Sequence, residues 1–163
     1  FTLQNASDRV KKAQYFNILT YCWEIMSRDK EEKTMLICDE AYLLIDPQVP
    51  QTLIFLRNVA KRCRKYEGSL VIISHSIVDF LDESVKMYGQ AILDMATYKI
   101  LMGTDGKNLE ESTVLFKLSE TQQEFLYKKK RGLGLFIIGS NRIFVRFDIF
   151  NIEFEFFGKG GGR

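Results

Sequence analysis

The stretch Thr34-Met-Leu-Ile-Cys-Asp-Glu40 restricts the fold more than any other part of the chain. Met35 to Cys38 are apolar at every position, the pattern of a strand inside a parallel α/β sheet whose two faces are both covered. A second run of this kind, Leu70-Val-Ile-Ile-Ser74, is rich in β-branched residues. Between them, Leu53, Leu56, Val59, Ala60 and Cys63 recur at helical spacing within a segment from about Pro50 to Tyr66. Strand, helix and strand in this order predict a β-α-β unit with parallel pairing and a right-handed crossover. Ligands of such sheets bind at the carboxyl ends of the strands. The first strand delivers Asp39 and Glu40 to that edge, and the second delivers Ser74, His75 and Ser76.

Two adjacent carboxylates at this place have a definite chemistry. In nucleotide hydrolases with a phosphate-binding loop, an acid there holds Mg²⁺ on the β- and γ-phosphates. A second acid beside it can polarise the attacking water as a general base. The plainer alternative is that Asp39 caps the next helix through its carboxylate. Likewise His75 can sense a γ-phosphate or orient water, or it is a loop residue beside a helix cap made by Ser76. The short pattern leaves these alternatives open.

Composition narrows the classes. The 163 residues make about one domain, with 46% hydrophobic and 27% charged residues as in ordinary globular proteins. A net charge of +2 is too small to argue for nucleic acid or a membrane surface. No apolar run approaches the roughly 18 residues of a membrane helix, and no signal peptide is visible. Cys22, Cys38 and Cys63 lack Cys-x-x-Cys spacing and suit a reducing, cytoplasmic setting. The lone histidine, His75, excludes a His-rich metal site. The chain opens without methionine and closes on Gly-Lys-Gly-Gly-Gly-Arg163, so a piece of a longer protein is expected.

Around the acidic strand, Phe1 to Leu3 read as the end of a strand, followed by a helix from Ser7 or Asp8 to about Ser27 that is expected to be covered on more than one side. Asp46-Pro47 stops a short helix after the acid pair. Arg57, Lys61, Arg62, Arg64 and Lys65 crowd the end of the second long helix. They form either a solvated face matched to the helix dipole or a contact for phosphate or a neighbouring subunit. Gly68 ends that helix, and Ile77 to Met95 continue as helix with a break near Gly89. Tyr98 to Met102 read as a third strand and Thr104 to Asn108 as a polar turn. Ser119-x-x-Gln122 is a capping box starting a helix that ends at Arg131-Gly132. Leu133 to Ile138, Ile143 to Phe147 and Ile152 to Phe157 read as a β-meander whose phenylalanines belong to a core. The expected organisation is thus one partial domain over residues 1–163, with an α/β core over 1–102 and a helix plus meander over 103–163.

A nucleotide hydrolase of this kind needs a Gly-x-x-x-x-Gly-Lys-Ser/Thr loop to cradle phosphates. The nearest match, Gly134 to Asn141, has two glycines but no lysine, and it reads as strand and turn. Such a loop is expected upstream of the acidic strand.

The order of motifs resembles a known family. Thr34 to Asp46, Arg62-Cys-Arg-Lys-Tyr-Glu-Gly68 and Val71-Ile-Ile-Ser-His-Ser-Ile-Val-Asp-Phe80 are similar to the conjugative-transfer ATPases of type IV secretion systems. These are the TraC-like proteins and their VirB-series counterparts in the HerA/FtsK superfamily. Gly89-Gln-Ala-Ile92, Lys99-Ile-Leu101, Leu118-Ser119, Arg131-Gly132 and Glu155 to Arg163 extend the likeness over essentially the whole chain. The resemblance implies a RecA-like P-loop NTPase core with a mainly parallel sheet, truncated on its N-terminal side and ending in an antiparallel meander. It implies ATP and Mg²⁺ as cofactors, other secretion components as partners, a homo-hexamer, and a place at the cytoplasmic face of the inner membrane, with direct DNA contact left open. Asp39 would support Mg²⁺, Glu40 would activate water, and Ser74 would line the nucleotide site. His75 stands where the family more often has a glutamine sensing the γ-phosphate, and a histidine can still donate a hydrogen bond. Arg62, Arg64, Arg131 and the terminal Arg163 are candidates for touching a nucleotide, the first three in a neighbouring subunit. A DNA-translocating relative and a non-catalytic docking module are the competing readings.

Overall fold

The protein is described here by a computed structural model covering residues 7–28, 31–46 and 49–157. The expected strand at Phe1 to Leu3, Pro47 and Arg163 lie outside those residues. The chain divides into two compact units, Phe1–Ala96 and Thr97–Arg163.

In the first unit, α1 (Asp8–Arg28) leads to β1 (Thr34–Cys38), a 3₁₀ turn at Ala41–Leu44, α2 (Gln51–Arg62) and a 3₁₀ extension at Cys63–Tyr66. Then come β2 (Gly68–Ile72), a 3₁₀ turn at Val78–Leu81 and α3 (Lys86–Met95). β1 and β2 pair in parallel from Thr34↔Gly68 to Cys38↔Ile72, the β-α-β unit predicted from the two apolar runs. On the buried stripe of α2, Leu53 and Leu56 cluster with Leu19 of α1, Cys38 of β1 and Ile92 of α3, while Val59 packs with Met26 of α1 and Cys63. Each leucine removed from water in this way contributes about 1.5–3 kcal/mol.

Several expectations are corrected. Among the described residues β1 is covered on one face only: Met35 is 63% exposed and Ile37 57%, while Leu36 and Cys38 face α1 and α2. An apolar run reports what a strand can bury, not what is present to bury it. α1 is likewise buried along one line, Leu19 and Met26, and leaves Ile18, Tyr21 and Ile25 exposed. Glu67, at φ 52°, turns the chain out of the second helix, and Gly68 is already in β2. The break in the third helical segment falls at residues 82–85, before α3, and Gly89 lies inside that helix. A Cβ on Gly89 would stand 2.0 Å from the carbonyl oxygen of Phe80, so the glycine lets α3 approach the preceding turn.

In the second unit, β3 (Tyr98–Met102) is followed by α4 (Gly106–Phe116), α5 (Glu120–Tyr127), β4 (Leu133–Ile138), β5 (Asn141–Arg146) and α6 (Asn151–Phe157). The strands form an antiparallel sheet in the order β3-β4-β5. The third strand, assigned to a core over 1–102, therefore pairs outside it, and the boundary falls after Ala96. Thr104 to Asn108 are not a free turn, because Asp105 opens α4. The Ser119 capping box is formed with Gln122, but α5 ends at Tyr127 rather than at Gly132.

The third strand of the expected meander, Ile152 to Phe157, is helical. Its alternation of apolar residues with Glu153 and Glu155 has a strand period, but Glu153 decides the local fold. Its carboxylate accepts the Phe150 N–H at 2.8 Å, and the N–H groups of Glu153 and Phe154 donate to the Phe150 carbonyl at 3.0 and 3.2 Å. That is a side-chain-to-backbone start signal for a helix. Nor are the phenylalanines all core: Phe150 and Phe156 are 73% and 78% exposed. Among the described residues no helix is long and apolar enough to cross a membrane.

Replacing a helical glycine by alanine ordinarily stabilises by roughly 0.5–1 kcal/mol. Gly89→Ala should do the reverse, because its Cβ meets backbone at Phe80. Urea unfolding of the variant should show a lower midpoint, and an unchanged or higher one would contradict the close packing.

Candidate functional site

β1 and β2 end level, and two backbone hydrogen bonds prolong their pairing past the last strand residues. Ile73 N–H donates to the Cys38 carbonyl at 2.9 Å, and Ala41 N–H donates to the Ile73 carbonyl at 2.9 Å. Asp39 and Glu40 are looped out between these two bonds. The Asp39 carboxylate accepts the Glu40 N–H at 2.9 Å. Glu40 takes a left-handed conformation, φ 50° and ψ 47°, and turns the chain into the 3₁₀ segment. A non-glycine residue there costs on the order of 1 kcal/mol or more.

The segment after Glu40 holds the loop from below. Ala41 and Leu44 are buried, and the buried Thr52 hydroxyl donates to the Leu44 carbonyl at 2.7 Å. Apolar anchoring on both sides thus leaves Asp39 and Glu40 exposed on a fixed base.

Opposite, the Ser74 hydroxyl accepts the Ser76 N–H at 3.4 Å and donates to the Ser76 carbonyl at 3.3 Å. This small turn presents His75. His75 Nδ1 lies 3.3 Å from a carboxylate oxygen of Glu40. The ring of Tyr42 stands nearly edge-on to the imidazole, with centroids 4.8 Å apart and planes at 66°. The structure therefore brings together Asp39, Glu40, Ser74 and His75, as the strand order requires. Glu40, which opens the 3₁₀ segment after β1, makes no side-chain cap, and the Asp39 carboxylate accepts the Glu40 N–H instead of an N–H further into the segment.

The other candidates fall elsewhere. Arg62 and Arg64 precede β2 and are exposed at the amino-end edge of the parallel pair, opposite the edge holding Glu40. Five residues of strand separate the two edges, roughly 16 Å at the rise of a strand. Arg131 belongs to the second unit, between α5 and β4. The Gly134 to Asn141 segment is β4 and its turn into β5, as its sequence indicated.

The sequence reading missed Tyr42. The signal was its place two residues after Glu40, where a tight turn brings the aromatic back over the strand end. Neither a solvated face nor a phosphate or subunit contact, the two readings for the basic residues of that helix, anticipates the Arg57 guanidinium over the Tyr88 ring at 4.9 Å.

As a metal site the arrangement is sparse. Among the described residues no three His, Cys, Asp or Glu side chains gather to hold an ion. Mg²⁺ keeps several waters and takes one or two carboxylates together with substrate phosphates, and the exposed Asp39 carboxylate is a donor of that type. One Asp39 oxygen is engaged by the Glu40 N–H, and the exposed carboxylate retains further lone pairs.

No family model matches the chain, and no curated protein matches it either. Among solved structures it is similar to VirB4 of Thermoanaerobacter pseudethanolicus, with 50% sequence identity and a TM-score of 0.86. The match covers 93% of this chain and 40% of that one, so the chain spans two fifths of the VirB4 structure.

Beneath the acid pair, burial pushes the Cys38 thiol up from 9.0 to about 11, with the nearby Cys22 adding to the effect. The thiol, not the thiolate, is the stable form at neutral pH. At pH 8 its thiolate fraction should be about 100-fold below that of a free cysteine. Alkylation of Cys38, followed by mass spectrometry, should be slower by at least that factor and should keep accelerating as pH rises toward 11.

Proposed function

The chain belongs to the VirB4 family, and on that premise we propose that it carries the metal- and water-binding half of an ATP-hydrolysing site in a type IV secretion motor. The observation supporting this most directly is the meeting of Asp39, Glu40 and His75 at the carboxyl edge of a parallel strand pair. In this reading Asp39 is the carboxylate that holds Mg²⁺, and its contact with the Glu40 N–H fixes the loop. Glu40 takes the proton from the attacking water. His75 donates from its ring toward the phosphate end, in the place of the family's usual glutamine, and Ser74 shapes the turn that carries it. Bound Mg²⁺ supplies charge neutralisation on the β- and γ-phosphates.

The loop that cradles those phosphates is taken to lie in the remainder of a VirB4-type protein, as are the strands that would complete a RecA-like core. The exposed apolar face at Met35 and Ile37 is compatible with such an extension. Arg62 and Arg64, on the edge away from their own acid pair, are assigned to a neighbouring subunit's nucleotide, within a hexameric ring. Other secretion components, at the cytoplasmic face of the inner membrane, are the proposed partners. The small net charge of +2 gives no support to DNA as a direct ligand.

In a VirB4-type protein containing this chain, Glu40→Gln should lower ATP hydrolysis by about 10²–10⁴-fold, the range for loss of a general base, while ATP binding persists. Phosphate release and calorimetry on the same preparation measure both. Unchanged turnover would remove Glu40 from the mechanism. The 163-residue chain alone should bind no ATP at micromolar concentration.

A further inference from the structure

We propose that Tyr42 is a positioning residue: its ring sets the orientation of His75 and, through it, that of the Glu40 carboxylate. This rests on the reading of Glu40 as the water-activating group and adds a residue that neither strand end contains.

The need for such a residue comes from exposure. The side chains of His75 and Glu40 are 68% and 56% exposed. A pair so open to water, joined at 3.3 Å, loses side-chain entropy in holding one geometry and is weak by itself. Nothing in the backbone turn at Ser74 fixes the imidazole about its own Cα–Cβ bond. Tyr42 does supply a wall. Its ring lies 4.8 Å from the imidazole, centroid to centroid, in an edge-on arrangement, the geometry that aromatic quadrupoles favour.

Tyr42 can serve as a wall because its own base is rigid. It follows the buried Ala41 within the 3₁₀ turn closed by Leu43 N–H to the Glu40 carbonyl at 3.0 Å and Ile45 N–H to the Tyr42 carbonyl at 3.1 Å. Ala41 is tied across to Ile73, two residues before His75. The left-handed Glu40 redirects the chain so that residues 40 and 42 both reach the same imidazole. Tyr42, His75 and Glu40 thus form a bridge between the ends of β1 and β2. Removing the ring frees the imidazole to rotate and leaves the carboxylate without a fixed neighbour.

His75 is the single histidine of the chain, so its ring nitrogens give an unambiguous NMR signal in the 163-residue protein. If Tyr42 orients His75 toward Glu40, Glu40→Gln should move the Nδ1 resonance in the wild-type and Tyr42→Phe backgrounds but not in Tyr42→Leu. The leucine keeps apolar bulk, and its unfolding midpoint serves as the control for folding. An equal Glu40→Gln response in Tyr42→Leu would overturn the proposal. In the longer ATPase, Tyr42→Leu should lower kcat about tenfold with KM for ATP unchanged, and Tyr42→Phe should restore it. The double variant Tyr42→Leu/His75→Ala should be no slower than His75→Ala alone, and additive losses would also overturn the proposal. Absence of any hydrolysis by the wild-type protein would instead refute the proposed function, and the resonance test would still decide the role of Tyr42.

Discussion

Two backbone hydrogen bonds, Ile73 N–H to Cys38 and Ala41 N–H to Ile73, control everything that happens at the strand ends. They extend the parallel ladder by one rung beyond β1 and force residues 39 and 40 out of it. Because the register runs without a bulge from Thr34↔Gly68 to Cys38↔Ile72, the loop that leaves β1 and the turn that leaves β2 must emerge side by side. A slip of one residue would put Cys38 on the open face and Ile37 into the core. It would also carry Glu40 away from His75. The buried Cys38 is therefore part of what places the carboxylates.

Much of this was legible in the sequence because local pattern and chain chirality suffice for it. Two apolar runs flanking an amphipathic helix leave one common arrangement, and that arrangement brings Asp39, Glu40 and His75 to one edge. The capping box at Ser119 was equally readable, being a reciprocal contact over four residues. What could not be read depends on partners distant in sequence. β3 joins β4 across two intervening helices, so its apolar residues identify a strand without identifying its sheet. The alternation in Ile152 to Phe156 reads as strand until Glu153 is seen to accept the Phe150 N–H. The one-sided burial of β1 is likewise invisible in Met-Leu-Ile-Cys, where all four residues are apolar and only Leu36 and Cys38 find cover in the described residues.

The direction of the strands also constrains the arginines. Charge patterning alone allowed Arg62 and Arg64 to serve any phosphate. Parallel pairing sets them at the opposite edge from Glu40, about the length of a strand away. An arginine side chain is shorter than that span, so within one copy of the chain neither guanidinium reaches the Glu40 carboxylate.

The conformation of Glu40 is informative only in context. Glu67, Lys117 and Lys129 also have positive φ, at 52°, 52° and 46°. Glu67 and Lys117 end helical segments, where a left-handed residue is a common way to stop, and Lys129 lies within two residues of the end of α5. Positive φ by itself therefore marks no site in this chain. Glu40 differs because it starts a turn rather than ending a helix, and glycine or asparagine would meet the backbone demand there at lower cost. Neither would put a carboxylate 3.3 Å from His75. The side chain, not the backbone, is then the reason for an acid at this position. The strain is tolerated because Ala41, Leu44 and Thr52 anchor the chain immediately after it.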